Sequence, residues 1–262
     1  MKNKGRTFAI GDIHGNHKGF IQALERSGFD NERDTLISLG DVVDGHCDSY
    51  LVIEELLKIK NLISIKGNHD KWFHTFLLKG QHPAEWLQGG QATAESYLKV
   101  RHPDDYHLFD YFTGNKRCRL NSKMIPESHL NFFDNQLDYY LDNDNNLFVH
   151  AGFNRHYPLE DQGDILWWDR DLWSQALSFD QMTSVEGIKQ PKFKMVGDFK
   201  EVFIGHTPTQ FWGKDEYMKA ANIYNIDCGG GWFGRICILD VDTKEAFYSD
   251  EAKLLYPDFK GR

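Results

Sequence analysis

The sequence predicts an α/β fold built on parallel strands, and three observations carry that prediction. Short apolar runs recur along the chain, each running into a glycine-rich polar turn. Helical periodicities lie between the early runs. The early strand starts recur about thirty residues apart, the length of a βαβ unit.

Taken in order, Thr7-Phe8-Ala9-Ile10 leads into Gly11-Asp12-Ile13-His14-Gly15. The run has the length and composition of a buried strand. Phe20, Ile21, Leu24 and Gly28 then fit a helix. Leu36-Ile37-Ser38-Leu39 leads into Gly40-Asp41-Val42-Val43-Asp44-Gly45. Val52, Ile53, Leu56, Leu57 and Ile59 fit a second helix, with Asp48-Ser49 as its N-cap. Leu62-Ile63-Ser64-Ile65 leads into Lys66-Gly67-Asn68-His69-Asp70.

Residues 71–146 break this rhythm. They are rich in Trp, His and Gln-Gly, and Leu130, Phe133, Leu137 and Leu141 recur at helical spacing after Pro126. A mostly helical insertion is expected there. Leu147-Phe148-Val149 leads into His150-Ala151-Gly152, and Val202-Phe203-Ile204 into Gly205-His206-Thr207. Residues 153–200 read as less regular, with long loops over the site. Residues 223–227, 235–241 and 246–248 alternate like antiparallel strands. The segment 229–234 satisfies G-x-G-x-x-G, but a strand follows where a dinucleotide fingerprint needs a helix, so a hairpin loop is expected.

At 262 residues, with 40% hydrophobic and 26% charged residues, the chain can bury a full core, and no linker divides it. A single domain over residues 1–262 is the expectation. The formal net charge of -9 argues against nucleic-acid or membrane-surface binding, which needs a basic footprint. No stretch reaches the ~18 consecutive apolar residues of a membrane helix. The apolar run after the basic start is only Phe8-Ala9-Ile10, so no secretion signal is read. Four cysteines without a C-x-x-C pair point to a reducing cytoplasm.

In parallel α/β folds ligands gather at the carboxyl ends of strands. The polar turns above sit at such ends and present Asp12, His14, Asp41, Asn68, His150 and His206. Carboxylate, imidazole and carboxamide together suit a borderline-hard ion such as manganese, iron or zinc. Calcium would want more oxygens. Asp12 and His14 are two apart on an extended segment and can face the same way. Asp41 has two oxygens and can bridge two ions. Two ions ~3.5–4 Å apart clamp the attacking and leaving oxygens of an in-line displacement, and a bridging water becomes hydroxide near neutral pH. Phosphate esters suit that chemistry. One such residue alone is more often a satisfied polar group at a turn; six together, each just after an apolar run, point to a metal site. Trp72, Trp86, Trp167, Trp168 and Trp173 are read as core packing rather than as a substrate groove.

Gly11-Asp12-Ile13-His14-Gly15, Gly40-Asp41-Val42-Val43-Asp44 and Gly67-Asn68-His69-Asp70 resemble the three signature blocks of the phosphoprotein phosphatase family, within the calcineurin-like metallophosphoesterases. His150-Ala151-Gly152 and Gly205-His206-Thr207 resemble the two later histidine blocks of its bacterial members. The resemblance implies a four-layer α/β sandwich, with two central mixed β-sheets flanked by helices. It implies one metal held by Asp12, His14 and Asp41, and a second held by Asp41 as bridge with Asn68, His150 and His206. Manganese leads, with iron or zinc as alternatives. It also implies His69 as the general acid, oriented by Asp44, and Asn68 beside the substrate phosphate. A departing alkoxide is a poor leaving group unless protonated, and histidine donates near neutral pH. A carboxylate behind the imidazole fixes its tautomer and supports its charged form.

Two positions depart from the family pattern. The second block usually continues Asp-Arg-Gly-Pro, whereas Asp44 is followed here by Gly45-His46-Cys47. The arginine that would grip the substrate phosphate bidentately is therefore missing. Arg170, in Trp167-Trp168-Asp169-Arg170, resembles the position of another family arginine and leads Arg117 and Arg235 as the compensating residue. Asp70 stands where glutamate is commoner. The leading expectation is a cytoplasmic serine/threonine phosphatase acting on phosphorylated proteins or small phosphoesters. A diadenosine-tetraphosphate-type hydrolase is the alternative, because similar blocks occur in that relative. A non-catalytic metal module and a nuclease are weaker readings, since no ligand or acid is lost and the charge balance is acidic.

Overall fold

In the computed structural model, which describes residues 5–81, 83–101, 103, 120–184 and 191–260, the described strands form two five-stranded sheets. The strands are β1 (Thr7–Ile10), β2 (Thr35–Ser38), β3 (Asn61–Ser64), β4 (Tyr139–Leu141), β5 (Asn146–Val149), β6 (Glu201–Ile204), β7 (Met218–Ala220), β8 (Ile223–Asn225), β9 (Cys237–Asp240) and β10 (Ala246–Tyr248). The first sheet has the order β10-β9-β1-β2-β3, and the second β4-β5-β6-β8-β7. β1, β2 and β3 are parallel, with β9 and β10 completing an antiparallel flank. β5, β6 and β8 are parallel, with β4 and β7 as antiparallel edges. Both sheets are thus mixed, as expected.

The helices are α1 (His17–Ser27), α2 (Ser49–Leu56), α3 (Asn68–Lys79), α4 (Gly90–Arg101), α5 (Glu127–Asp134), α6 (Ile165–Trp168), α7 (Asp171–Thr183) and α8 (Ala252–Leu255). In α1, the Asn16 side chain caps the start by accepting the Gly19 N–H, and Gly28 closes the end at φ 60. Phe20, Ala23, Leu24 and Ser27 form its buried stripe.

Period-two alternation along the strands produces the layers. Phe8 and Ile10 face a core shared with Phe20, Val52 and Phe73, while Ala9 between them faces the other sheet. Leu147, Val149, Val202 and Ile204 face a core shared with Leu172, Trp173 and Ala176 of α7. Phe148 and Phe203 point the other way, into the space between the sheets. There Phe148 stacks on Phe203 at 4.8 Å, and Phe203 on Tyr224 at 5.1 Å. The result is the four-layer sandwich of helices, sheet, sheet and helices.

Local expectations change in four places. The helical spacing after Pro126 carries only through α5; Leu137 pairs with Ile65 and Leu141 ends β4. The β3 edge of the first sheet recruits Leu137 and the second sheet takes β4 as its own edge, and this pairing overrides the local period. Residues 153–200 hold α6 and α7 rather than loops alone. β8 runs parallel to β6 and is antiparallel only to β7. The 229–234 segment is a loop followed by a strand, but it is not the expected hairpin: it crosses from β8 in the second sheet to β9 in the first, with the Arg235 N–H donating to the Cys228 carbonyl. No described helix is long and apolar enough to cross a membrane.

Candidate active site

The carboxyl ends of five of the parallel strands, β1, β2, β3, β5 and β6, bring the six candidate ligands into one buried cluster, none more than 7% exposed. Asp41 Oδ2 lies 3.5 Å from His14 Nε2 and 3.4 Å from His150 Nε2. Asp12 Oδ2 is 3.5 Å from the same His14 nitrogen, and Asp12 Oδ1 accepts the His206 backbone N–H at 3.1 Å. Asn68 Oδ1 is 3.2 Å from His150 Nε2. Among the described residues, two groups have potential ligand atoms within 4.8 Å of one another: His14, Asp41 and His69, and Asp41, His150 and His206.

The backbone orients these side chains. His14 Nδ1 sits 3.0 Å from the Val43 carbonyl and His150 Nδ1 2.8 Å from that of Leu39. A carbonyl only accepts, so each Nδ1 donates and each Nε2 turns to the carboxylates. His206 Nε2 is buried with no hydrogen-bond partner among the described residues, which fits a metal ligand better than a structural histidine. His14, Asp41, Asp44 and His206 all have φ between 50 and 68. Such left-handed non-glycine residues cost on the order of 1–3 kcal/mol each and cluster at functional sites. Glycine is needed at Gly67, where a Cβ would lie 2.1 Å from Asp41 Oδ1, and at Gly205, where it would lie 2.3 Å from Asp12 Oδ1.

β3 runs through Lys66-Gly67 into α3, so Asn68 and His69 occupy the first turn of that helix. Asp41 Oδ1 accepts the His69 backbone N–H at 2.9 Å, at the positive end of the helix, and Oδ2 is left for the cluster. Asp70 secures this turn by accepting the N–H groups of Asp41, Val42 and Gly67 and the amide of Gln136. Burial, and then the Asp41 charge, push Asp70 up to about 6.

His69 Nδ1 and Asp44 Oδ2 are 2.9 Å apart. The fully buried Asp44 also accepts from Trp86 Nε1 at 2.9 Å and Thr93 Oγ1 at 2.7 Å. Sequence reasoning missed Thr93 and read Trp86 as packing alone. No motif marks either, because the bonds span 49 and 42 residues.

The electrostatics favour a cation. Burial, and then the Asp227 carboxylate, hold Asp12 well above the usual carboxylate range. Burial alone would raise Asp41 too, but His150, His69 and His14 outweigh it and hold it well below that range. Burial opposes charge on His150, yet Asp41 overcomes it and pushes the imidazole up to about 10. Burial, and then His150, hold His206 well below the usual imidazole value. Converging buried carboxylates beside a neutral His206 form a donor set that a cation would stabilise.

A cavity of about 210 Å³ lies over the cluster, with Trp168, Arg170, Phe211, Asp227 and Trp232 in its walls. Trp168 is 44% exposed there, which corrects the packing reading for that residue; the other four tryptophans named above are buried. Arg170 is the single arginine or lysine among the described lining residues. Arg235 instead lies 3.9 Å from Glu251, and Arg117 falls outside the described residues. At Gly45, φ is 109 and a Cβ would approach His14 O to 3.2 Å, so the turn itself disfavours an arginine. Asp227 was missed, although Ile226-Asp227-Cys228-Gly229 repeats the apolar-then-polar turn at the end of β8.

Comparison with known proteins agrees with this geometry. The model of the calcineurin-like phosphoesterases matches residues 5–228. Serine/threonine-protein phosphatase 1 of Salmonella typhimurium is 22% identical over 238 residues, covering 90% of this chain and 92% of that protein. The symmetrical bis(5'-nucleosyl)-tetraphosphatase of Dechloromonas aromatica is 22% identical over 274 residues, covering 93% and 95%. That of Nitrosomonas europaea is 37% identical over 65 residues, and the chain spans only 24% of that relative's length. A metallophosphoesterase structure from Sphaerobacter thermophilus superposes with a TM-score of 0.52 at 16% identity, over 98% of this chain and 91% of that one, a likeness of fold.

Proposed function

This chain belongs to the calcineurin-like phosphoesterase family, and from that premise we propose that it is a two-metal phosphatase of the phosphoprotein phosphatase type. Asp12, His14 and Asp41 would hold one ion; Asp41, Asn68, His150 and His206 would hold the second. The observation that carries the reading is Asp41 Oδ2, set 3.5 and 3.4 Å from two imidazole nitrogens whose opposite edges are tied to carbonyls. When bound, the ions neutralise phosphoryl oxygens and bring the pKa of a water near 7, with manganese ahead of iron or zinc for this donor set.

The chain's own residues supply the remaining steps. His69 gives its Nε2 proton to the departing oxygen, while Asp44 on Nδ1 keeps the ring oriented and supports its charged form. Trp86 and Thr93 hold Asp44 in place. Asn68 and Arg170 both line the cavity, where they would contact the substrate phosphate. Arg170→Ala is expected to lower kcat/KM roughly 10- to 100-fold, mostly through KM, as a lost charge-assisted hydrogen bond does. Steady-state kinetics on p-nitrophenyl phosphate checks this, and an unchanged KM would remove Arg170 from phosphate binding.

Phosphoserine and phosphothreonine proteins are the leading substrates, and the setting we infer is a reducing cytoplasm, compatible with free Cys47, Cys228 and Cys237. Dinucleotide polyphosphates are the second reading, favoured by the aromatic wall of Trp168, Phe211 and Trp232. Metal-stripped protein is expected to release no phosphate from p-nitrophenyl phosphate, a phosphothreonine peptide or diadenosine tetraphosphate, and added manganese to start release. Two ions bound without release from any of the three would overturn the reading.

A further inference from the structure

We propose that Phe211 and Trp232 form a stacking subsite for a nucleobase carried by the substrate, with the Gln88 carboxamide at its edge. The proposal rests on the phosphoesterase reading and gives the second of its two substrate classes a binding site for the base.

The two rings reach the cavity lining from two separate loops, each adjoining residues of the cluster. Phe211 belongs to the 3₁₀ turn Thr209–Trp212, which follows His206-Thr207-Pro208 directly. It is 69% exposed, so packing does little to hold a phenyl ring there. Trp232 belongs to the loop over residues 229–234, the segment that satisfied a dinucleotide fingerprint without its helix. That loop has another use. Gly231 lets the backbone close on His14, since a Cβ there would lie 2.2 Å from His14 Cδ2. The next residue then carries an indole, 36% exposed, into the same cavity.

The cavity's size places the rest of the substrate at this rim. About 210 Å³ is below the ~300–1,000 Å³ of pockets that enclose a drug-sized ligand. It suits a phosphoryl group, so the leaving group extends toward solvent, the side on which the exposed lining residues Phe211, Trp232 and Gln88 lie. A nucleobase is planar and neutral, so it gains stacking and meets no repulsion from Asp41 and Asp227. A glutamine carboxamide matches the donor and acceptor edge of adenine. An alkyl phosphoserine side chain offers no planar face to two rings.

Calorimetric binding of AMP and ribose 5-phosphate to the manganese-loaded protein isolates the base. AMP is expected to bind about 5- to 150-fold more tightly, the range for stacking one base on aromatic side chains. Phe211→Ala combined with Trp232→Ala is expected to erase that ratio, and Phe211→Leu, which stays apolar but loses the flat ring, to reduce it. Equal affinities in the unsubstituted protein, or a ratio that survives the double substitution, would overturn the subsite. In kinetics, the KM of diadenosine tetraphosphate relative to a phosphothreonine peptide should rise by a similar factor in the double variant. Equal rises for both substrates would assign the rings to a protein partner and overturn the proposal. An AMP preference that depends on both rings, in a protein that turns over no phosphoester, would sustain the subsite while the phosphoesterase reading fails.

Discussion

Asp41→Asn is expected to lower manganese-dependent phosphate release by on the order of 10³-fold and to cut bound metal from two ions to at most one. The carboxylate divides its oxygens between two tasks: Oδ1 accepts the His69 N–H, and Oδ2 sits between His14 and His150. An asparagine can keep the first task through its carbonyl, so the α3 turn should survive. It cannot supply the charge or second oxygen that a bridge requires. Losing several kcal/mol of charge stabilisation corresponds to that factor at 1.36 kcal/mol per decade. Metal content by elemental analysis, read beside kcat in a folded variant, checks this. Two retained ions with near-normal turnover would remove the bridging role.

His69→Asn should behave differently, and the difference separates an acid from a ligand. Turnover of a phosphothreonine peptide is expected to fall ~10²–10⁴-fold, the range for general acid–base catalysis. Both ions should remain. The loss should be smaller with p-nitrophenyl phosphate, whose leaving group departs without a proton. His69 lies near enough to His14 and Asp41 to count geometrically as a third ligand, so metal content is the deciding measurement. The 2.9 Å contact of its Nδ1 with Asp44 argues for the acid, because that carboxylate is already engaged by Trp86 and Thr93 and turns the opposite edge of the ring outward.

Much of the candidate site was legible in local sequence. Asp12, His14, Asp41, Asn68, His150 and His206 each follow a short apolar run, and a strand end is a local event. Asp227 carries the same signature and was passed over because its run, residues 223–227, read as an antiparallel strand. α7 was passed over because its neighbourhood is irregular, although Leu172, Trp173 and Ala176 already mark one face. Leu137 and Leu141 misled in the opposite direction: their helical spacing is real, but a hydrogen bond from Leu137 to Ser64 and the pairing of Leu141 opposite Leu147 place them beside strands. The missing arginine at Gly45 was visible as a departure, but its cause, a left-handed turn closed against His14, was not.

By itself, then, the sequence determined the α/β class, the positions along the chain of β1, β2, β3, β5 and β6, and the identity of the residues their ends present. Period-two apolar runs broken by glycine-rich turns carry that information within a few residues. Tertiary structure alone decided which carboxylate lies between which imidazoles, which partners hold Asp44, and which rings wall the cavity. Those relations arise where two sheets stack. They join His150 to Leu39 across 111 residues and His206 to Asp12 across 194, separations over which no local pattern in the chain carries a signal.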